Sequence, residues 1–148
     1  MTWRLALEPD EALEDELTDQ LVAHNQAASD AIRRRFLPDN LRARPVQAFA
    51  VDDTGRLLGG CTGSTVDVWH WLTIDTMWVD PSVRRQGLAR VLLEDVEDQA
   101  RARGCTWAKL NTWDFQAPGF YEHLGYLVYG REDDYPPGHV NYLMRKHL

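Results

Sequence analysis

The stretch Val79-Asp80-Pro81-Ser82-Val83-Arg84-Arg85-Gln86-Gly87-Leu88-Ala89-Arg90 constrains this chain most, because it joins two elements of different period through a basic, glycine-containing turn. Before it, Trp71 to Val79 is rich in aromatic and β-branched residues and predicts a strand. After it, Leu88, Leu92, Val96 and Ala100 lie on one face of a helix that closes at Arg101 and Arg103 before Gly104. The first N–H groups of such a helix have no intrahelical acceptor, and the aligned peptide dipoles place partial positive charge there. A phosphate can use both. Gly87 allows the backbone to approach a bulky anion, and the small Ala89 keeps the next position clear. The same residues are also compatible with an ordinary basic helix start. Neither a Walker loop nor a three-glycine dinucleotide fingerprint is present, which disfavours a nucleotide-dependent kinase or dehydrogenase.

The rest of the chain supplies a setting for that turn. Its 148 residues, 44% hydrophobic and 26% charged, fit one domain spanning 1–148. Thr2 to Leu7 predicts a short strand, and the acidic segment with Leu13, Leu17 and Leu21 predicts a helix running toward Phe36, broken into two. Val46–Val51 and Leu57–Val66 flank Asp52-Asp53-Thr54-Gly55 as a hairpin. Past the central helix come a strand over Thr106–Asn111, a short helix over Pro118–Leu124 and a strand over Tyr126–Gly130. A loop over Glu132–His139 and a last strand from Val140 to about Arg145 complete the order βααβββαβαββ. That order indicates an α/β (α+β) fold with a mixed sheet and helices on its faces.

Charge and composition exclude several functions. A net charge of −7 argues against a broad nucleic-acid-binding face, and it suits steering of a cationic substrate such as an amine. Arg33-Arg34-Arg35 is read as a solvated helix end. There is no signal-peptide pattern at the start and no apolar run that could span a bilayer, so a cytoplasmic protein without a membrane partner is expected. Cys61 and Cys105 lack zinc or redox spacing and are expected to be buried thiols; the five histidines show no ligand spacing, and no metal is expected.

A second segment, Phe115-Gln116-Ala117-Pro118-Gly119-Phe120-Tyr121-Glu122-His123-Leu124-Gly125-Tyr126, comes after the next strand. It resembles the Ala-x-x-(Phe/Leu)-Tyr-Glu-x-x-Gly-(Phe/Tyr) motif of the GCN5-related N-acetyltransferases (GNAT). Arg84 to Ala89 resembles the same family's (Gln/Arg)-x-x-Gly-x-(Gly/Ala) signature at the expected distance. The resemblance covers Trp71 to Tyr126 and implies the GNAT fold, whose central sheet is mixed and mostly antiparallel, with acetyl-CoA as cosubstrate. It implies that main-chain amides of the turn, from Arg84, Arg85 and Gln86 through Gly87, Leu88, Ala89 and Arg90, hold the CoA pyrophosphate. Main-chain groups of Met77, Trp78 and Val79 would hold the pantetheine arm and thioester carbonyl.

The resemblance also gives Tyr121 the role of general acid toward the CoA sulfur, for which a phenol protonated at neutral pH is suited. Packing alone would also account for a tyrosine there. Asp75 shares side-chain parity with Val79 and is a candidate base, an electrostatic anchor for the acceptor, or a solvent-facing strand residue. Many relatives carry a glutamate elsewhere on this strand, and an asparagine where this chain has Asp114. In the family, loops corresponding to Arg33–Phe36 and Asp133–His139 commonly shape the acceptor pocket. The expected activity is acetyl transfer to a primary amine, favouring a small molecule over a protein amino group. A noncatalytic acyl-CoA-binding module is the competing class, and the resemblance allows a homodimer.

Overall fold

The structure is a computed structural model that describes Thr2 and residues 4–148. The chain forms two compact units, one ending at Leu41 and one running from Arg42 to Leu148. In the first, α1 (Glu11–Ala28) starts where the Asp10 carboxylate accepts the Leu13 N–H at 3.2 Å. Ser29 makes the predicted break: its N–H closes α1 on the Asn25 carbonyl at 3.0 Å, and its hydroxyl caps α2 (Asp30–Arg35) by accepting the Ile32 N–H at 3.3 Å. Arg33, Arg34 and Arg35 form the last turn of α2, where the helix dipole favours cations. The strand expected at Thr2–Leu7 includes Trp3, which lies outside the described residues. Thr2 and Arg4 to Leu7 are irregular, because their backbone enters no ladder pairing.

The second unit contains β1 (Arg44–Val51), β2 (Leu57–Val66), β3 (Trp71–Val79), α3 (Leu88–Ala102), β4 (Trp107–Trp113), α4 (Pro118–His123), β5 (Leu127–Asp133) and β6 (Val140–His147). They build one six-stranded sheet in the order β1-β2-β3-β4-β6-β5, antiparallel except for the parallel β3–β4 pair. Its β1–β2 turn is held by Asp52, whose carboxylate accepts the Thr54 and Arg56 N–H groups at 2.9 and 3.0 Å. Leu92, Leu93, Val96 and Ala100 of α3 are buried in one core with Val46, Cys61, Leu72, Ile74 and Val79 of the first three strands. β5 and β6 run longer than the hydrophobic pattern predicts, since each extends by pairing with the other. Glu132, expected in a loop, is therefore a strand residue facing Asn141.

Two irregularities interrupt the regular pairing of β3. Opposite β2, Thr62 faces Thr76 while the next residue, Gly63, faces Ile74, so Asp75 is an extra residue in a β-bulge. The bulge switches side-chain parity: Leu72 and Ile74 are buried before it, Val79 after it. Asp75 consequently does not share a face with Trp71 and Thr73 and then with Val79, as simple alternation would have it. Gly63 is required beside the bulge, for a Cβ there would collide with the Thr73 carbonyl oxygen. The second irregularity is at the other edge, where β3 pairs with β4 over Trp71–Thr73 and Trp107–Lys109 and then stops.

Candidate active site

Beyond Thr73 and Lys109 the two parallel strands part, and the gap opens into a cleft of about 850 Å³. Ile74 to Val79 form one wall and Leu110 to Thr112 the other, while the turn before α3 and the start of α4 close its ends. The Asp80 N–H donates to the Leu58 carbonyl at 2.8 Å. Strand alternation then turns the main-chain groups of Trp78 toward β2 and those of Met77 and Val79 toward the cleft. Trp78 thus contributes its half-exposed side chain to the wall rather than its amide. The Val79 carbonyl is taken by Arg84, whose Nε donates at 2.9 Å and ties the turn back to β3.

The turn itself is built to leave donors free. Asp80 starts a single 3-10 turn, Pro81–Val83, by accepting the Ser82 N–H at 2.8 Å and the Ser82 hydroxyl at 2.6 Å; these bonds hold its carboxyl below the usual range. Arg85 adopts φ 61°, and Gly87 adopts φ 85°, a left-handed conformation that costs glycine little. A Cβ on Gly87 would meet no atom within 4 Å, so conformation and open space, rather than a packed neighbour, select glycine. Gly87 offers no side-chain cap, and the N–H groups of Leu88, Ala89 and Arg90 have no acceptor among the described residues. Arg84, Arg85, Gly87, Leu88, Ala89 and Arg90 all border the cleft, whereas Gln86 does not. The Arg90 side chain is engaged by Glu94 at 2.8 Å, which leaves its backbone as its contribution.

Tyr121 enters from α4 and is 8% exposed. Its ring meets those of Phe120 and Tyr126 edge-to-face, with centroids 5.1 and 5.8 Å apart. Its hydroxyl has no partner among the described residues, yet none of their side-chain polar atoms is both sealed and unpartnered, so the hydroxyl opens on the cleft. Burial, reinforced by the nearby Cys61, pushes its pKa up to about 12. Tyr126, which braces that ring, is itself anchored: its hydroxyl donates to Glu97 on α3 at 2.9 Å. Glu97 also accepts from Lys146 at 2.7 Å and Arg101 at 3.3 Å. Asp75 lies exposed on the β3 wall.

Sequence reasoning missed most of the β4 wall. Asn111, Thr112 and Gln116 border the cleft without belonging to a recognised signature. Gln116 accepts from the Trp113 N–H at 3.0 Å and the Thr112 hydroxyl at 3.1 Å, which leaves its NH2 group to donate. Asp114 does not border the cleft; it accepts the Phe115 N–H at 2.9 Å and pairs with His139 at 3.1 Å. None of Asp133 to His139 lines the cleft either, although Trp113 Nε1 donates to the Tyr135 carbonyl at 2.8 Å and fastens that loop to β4. Cys61 and Cys105 are buried, and desolvation pushes the Cys61 thiol up to about 12. Among the described residues no three His, Cys, Asp or Glu side chains could share a metal ion, and no helix is long and apolar enough to cross a membrane.

Residues 10–126 match the sequence profile of the Acetyltransferase (GNAT) family. A blasticidin-S acetyltransferase of Streptomyces morookaense is 38% identical over 87% of this chain and 96% of its own length. The crystal structure of an acetyltransferase from Bacillus cereus superposes with a TM-score of 0.74 at 28% identity, covering 98% of each chain. An aminoglycoside 6'-N-acetyltransferase, solved with coenzyme A, shares the fold at a TM-score of 0.62 and 18% identity over 93% of this chain and 92% of its own. This chain belongs to the GNAT acetyltransferase family, whose members use acetyl-CoA.

Proposed function

We propose that the chain transfers the acetyl group of acetyl-CoA to a primary amine of a small molecule, by direct attack of the amine with Tyr121 as general acid. The observation that carries this reading is the convergence, in one cleft, of acceptor-free amides at the start of α3, an unpaired strand edge, and the phenol of Tyr121. The cleft fits the cosubstrate on those grounds. The amides of Leu88, Ala89 and Arg90 suit a pyrophosphate. The free main-chain groups of Met77, the Val79 N–H and the Gln116 amide suit the amides of a pantetheine arm, recognised as an added strand. When bound, acetyl-CoA supplies a thioester carbonyl open to attack. Similarity to the blasticidin-S enzyme supports a small-molecule acceptor.

Tyr121 keeps its proton throughout the working range and can donate to the departing sulfur. Complete transfer from a phenol at about 12 to a thiolate whose thiol lies near ~8.5 would be uphill by roughly 5 kcal/mol. Tyr121 therefore acts as a hydrogen-bond donor through which the proton lost by nitrogen reaches sulfur, and it does not rest as phenolate. Asp75 draws the ammonium form toward the cleft by its charge, and water beside it carries the ammonium proton to solvent before attack, because a carboxylate is too weak a base to keep it.

An acetyl-CoA screen against an amine panel that includes blasticidin S, with mass detection of products, tests the reading. Tight cofactor binding without CoA release toward any amine would favour the noncatalytic module, and acetylation of protein amino groups alone would move the acceptor class. Tyr121→Phe is expected to lower kcat by about 10²-fold or more with acetyl-CoA affinity retained; undiminished turnover removes the tyrosine from this role. Because burial raises the phenol, its donor form is lost only as pH passes about 12. The kcat profile should accordingly show no alkaline fall up to pH ~10, where an unperturbed tyrosine would already be half ionised.

A further inference from the structure

The β4 wall holds a chain of side chains that the proposed reaction has not used. Asn111 Nδ2 donates to Asn141 Oδ1 at 3.3 Å, and Asn141 Nδ2 donates to Glu132 Oε2 at 2.7 Å. Asn141 is only 3% exposed, and it stands between a cleft residue on β4 and a carboxylate on β5.

The polarity of this chain is dictated from its far end. An ionised carboxylate accepts hydrogen bonds and cannot donate them, so Glu132 obliges Asn141 to present its NH2 group. Asn141 then faces Asn111 with its carbonyl, and Asn111 must answer with its own NH2. The Asn111 carbonyl oxygen is left over. It accepts no hydrogen bond among the described residues, and it belongs to an exposed residue of the cleft lining. Without Glu132 either amide could rotate by half a turn, and the cleft would meet oxygen or nitrogen indifferently.

The direction of Asn111 gives that oxygen a use. Ala108 and Leu110 belong to the core that also holds Tyr121, Thr112 is buried in step with them, and Asn111 alternates to the opposite face of β4. The free amides of α3 and the Tyr121 phenol thus approach the parted strands from one face, and Asn111 from the other. A nitrogen nucleophile must arrive with its lone pair aimed at the thioester carbonyl, and its N–H groups are then directed away from it. An amide oxygen placed behind the nitrogen accepts such an N–H and fixes the lone pair's direction, which is a contribution of orientation rather than of charge.

We propose that Asn111 Oδ1 binds the N–H of the acceptor amine, and that Asn141 and Glu132 are positioning residues that set the orientation of its amide. This rests on the amine-acetyltransferase reading above and adds the acceptor side of the same cleft. The test takes the best amine from the panel, together with side-chain amide ¹H–¹⁵N spectra of the CoA-saturated protein. Asn111→Ala should raise the KM for the amine at least tenfold and leave that for acetyl-CoA within twofold. Glu132→Ala should raise the amine KM about fivefold and shift the Asn111 side-chain resonances. Glu132→Gln, which can still accept through Oε1, should recover most of both losses, whereas an effect of charge alone would be lost equally in the two variants. The proposal is overturned if the amine KM is unmoved in Asn111→Ala, if both KM values rise together, or if Glu132→Ala leaves the Asn111 resonances in place. A wild-type protein that acetylates no amine would refute the proposed function instead, and the spectra would still decide the relay.

Discussion

Helix α3 carries two concentrations of polar groups about two turns apart, and they are arranged in opposite ways. At its start, Gly87 leaves the N–H groups of Leu88, Ala89 and Arg90 without acceptors beside an 850 Å³ cleft. In its third turn Glu97, 1% exposed, receives hydrogen bonds from Tyr126, Lys146 and Arg101. Both places concern groups that a folded chain must satisfy, but only the second does so internally. The buried carboxylate is closed and fastens α3 to the segment after α4 and to β6; the amides at the helix start stay open beside the cleft. The two are linked, because Tyr126 held by Glu97 braces the ring of Tyr121 on the cleft.

The contrast can be broken most severely at Glu97. Glu97→Ala leaves the Lys146 ammonium, whose side chain is 19% exposed, and the Tyr126 hydroxyl without their acceptor. A loss of roughly 3–5 kcal/mol in denaturant-derived stability is expected, with the CoA affinity of the surviving folded fraction little changed. At the open end the order reverses. Gly87→Val forces a β-branched residue to φ 85° and should cost about 1–2 kcal/mol in stability, while weakening CoA binding by roughly tenfold in calorimetry. A variant whose CoA affinity is untouched would show that the open amides do not serve the cofactor. The smallest effect is expected from Tyr126→Phe, which removes one of three donors to Glu97. It should lower stability by about 1 kcal/mol in thermal or chemical unfolding.

The legibility of these regions in the sequence differed for the same reason. The turn before α3 is local: a strand, two arginines, a glycine and a helix adjoin in sequence, and the Pro118–Tyr126 segment is equally compact. Most element positions could be read in the same way, from β2 over Leu57–Val66 to α3. The strand ends of β5 and β6 could not, because they are decided by partners far along the chain. Asp75 is the clearest case. Its expected parity assumed an uninterrupted strand, and the bulge opposite Thr62 and Gly63 is a property of the β2–β3 pair.

What the sequence determined by itself, then, is the family, the order of elements beyond the first helices, and the glycine-containing turn that opens α3, all of which depend on neighbours within a few residues. Tertiary structure decided the cleft, which exists because parallel pairing between β3 and β4 ends at Thr73 and Lys109. It also decided the company of Tyr121, and the line from Asn111 through Asn141 to Glu132, whose members lie up to 30 residues apart in sequence. Hydrogen-bond geometry acts over about 3 Å, and no spacing along a chain records which distant residues a sheet will bring that close.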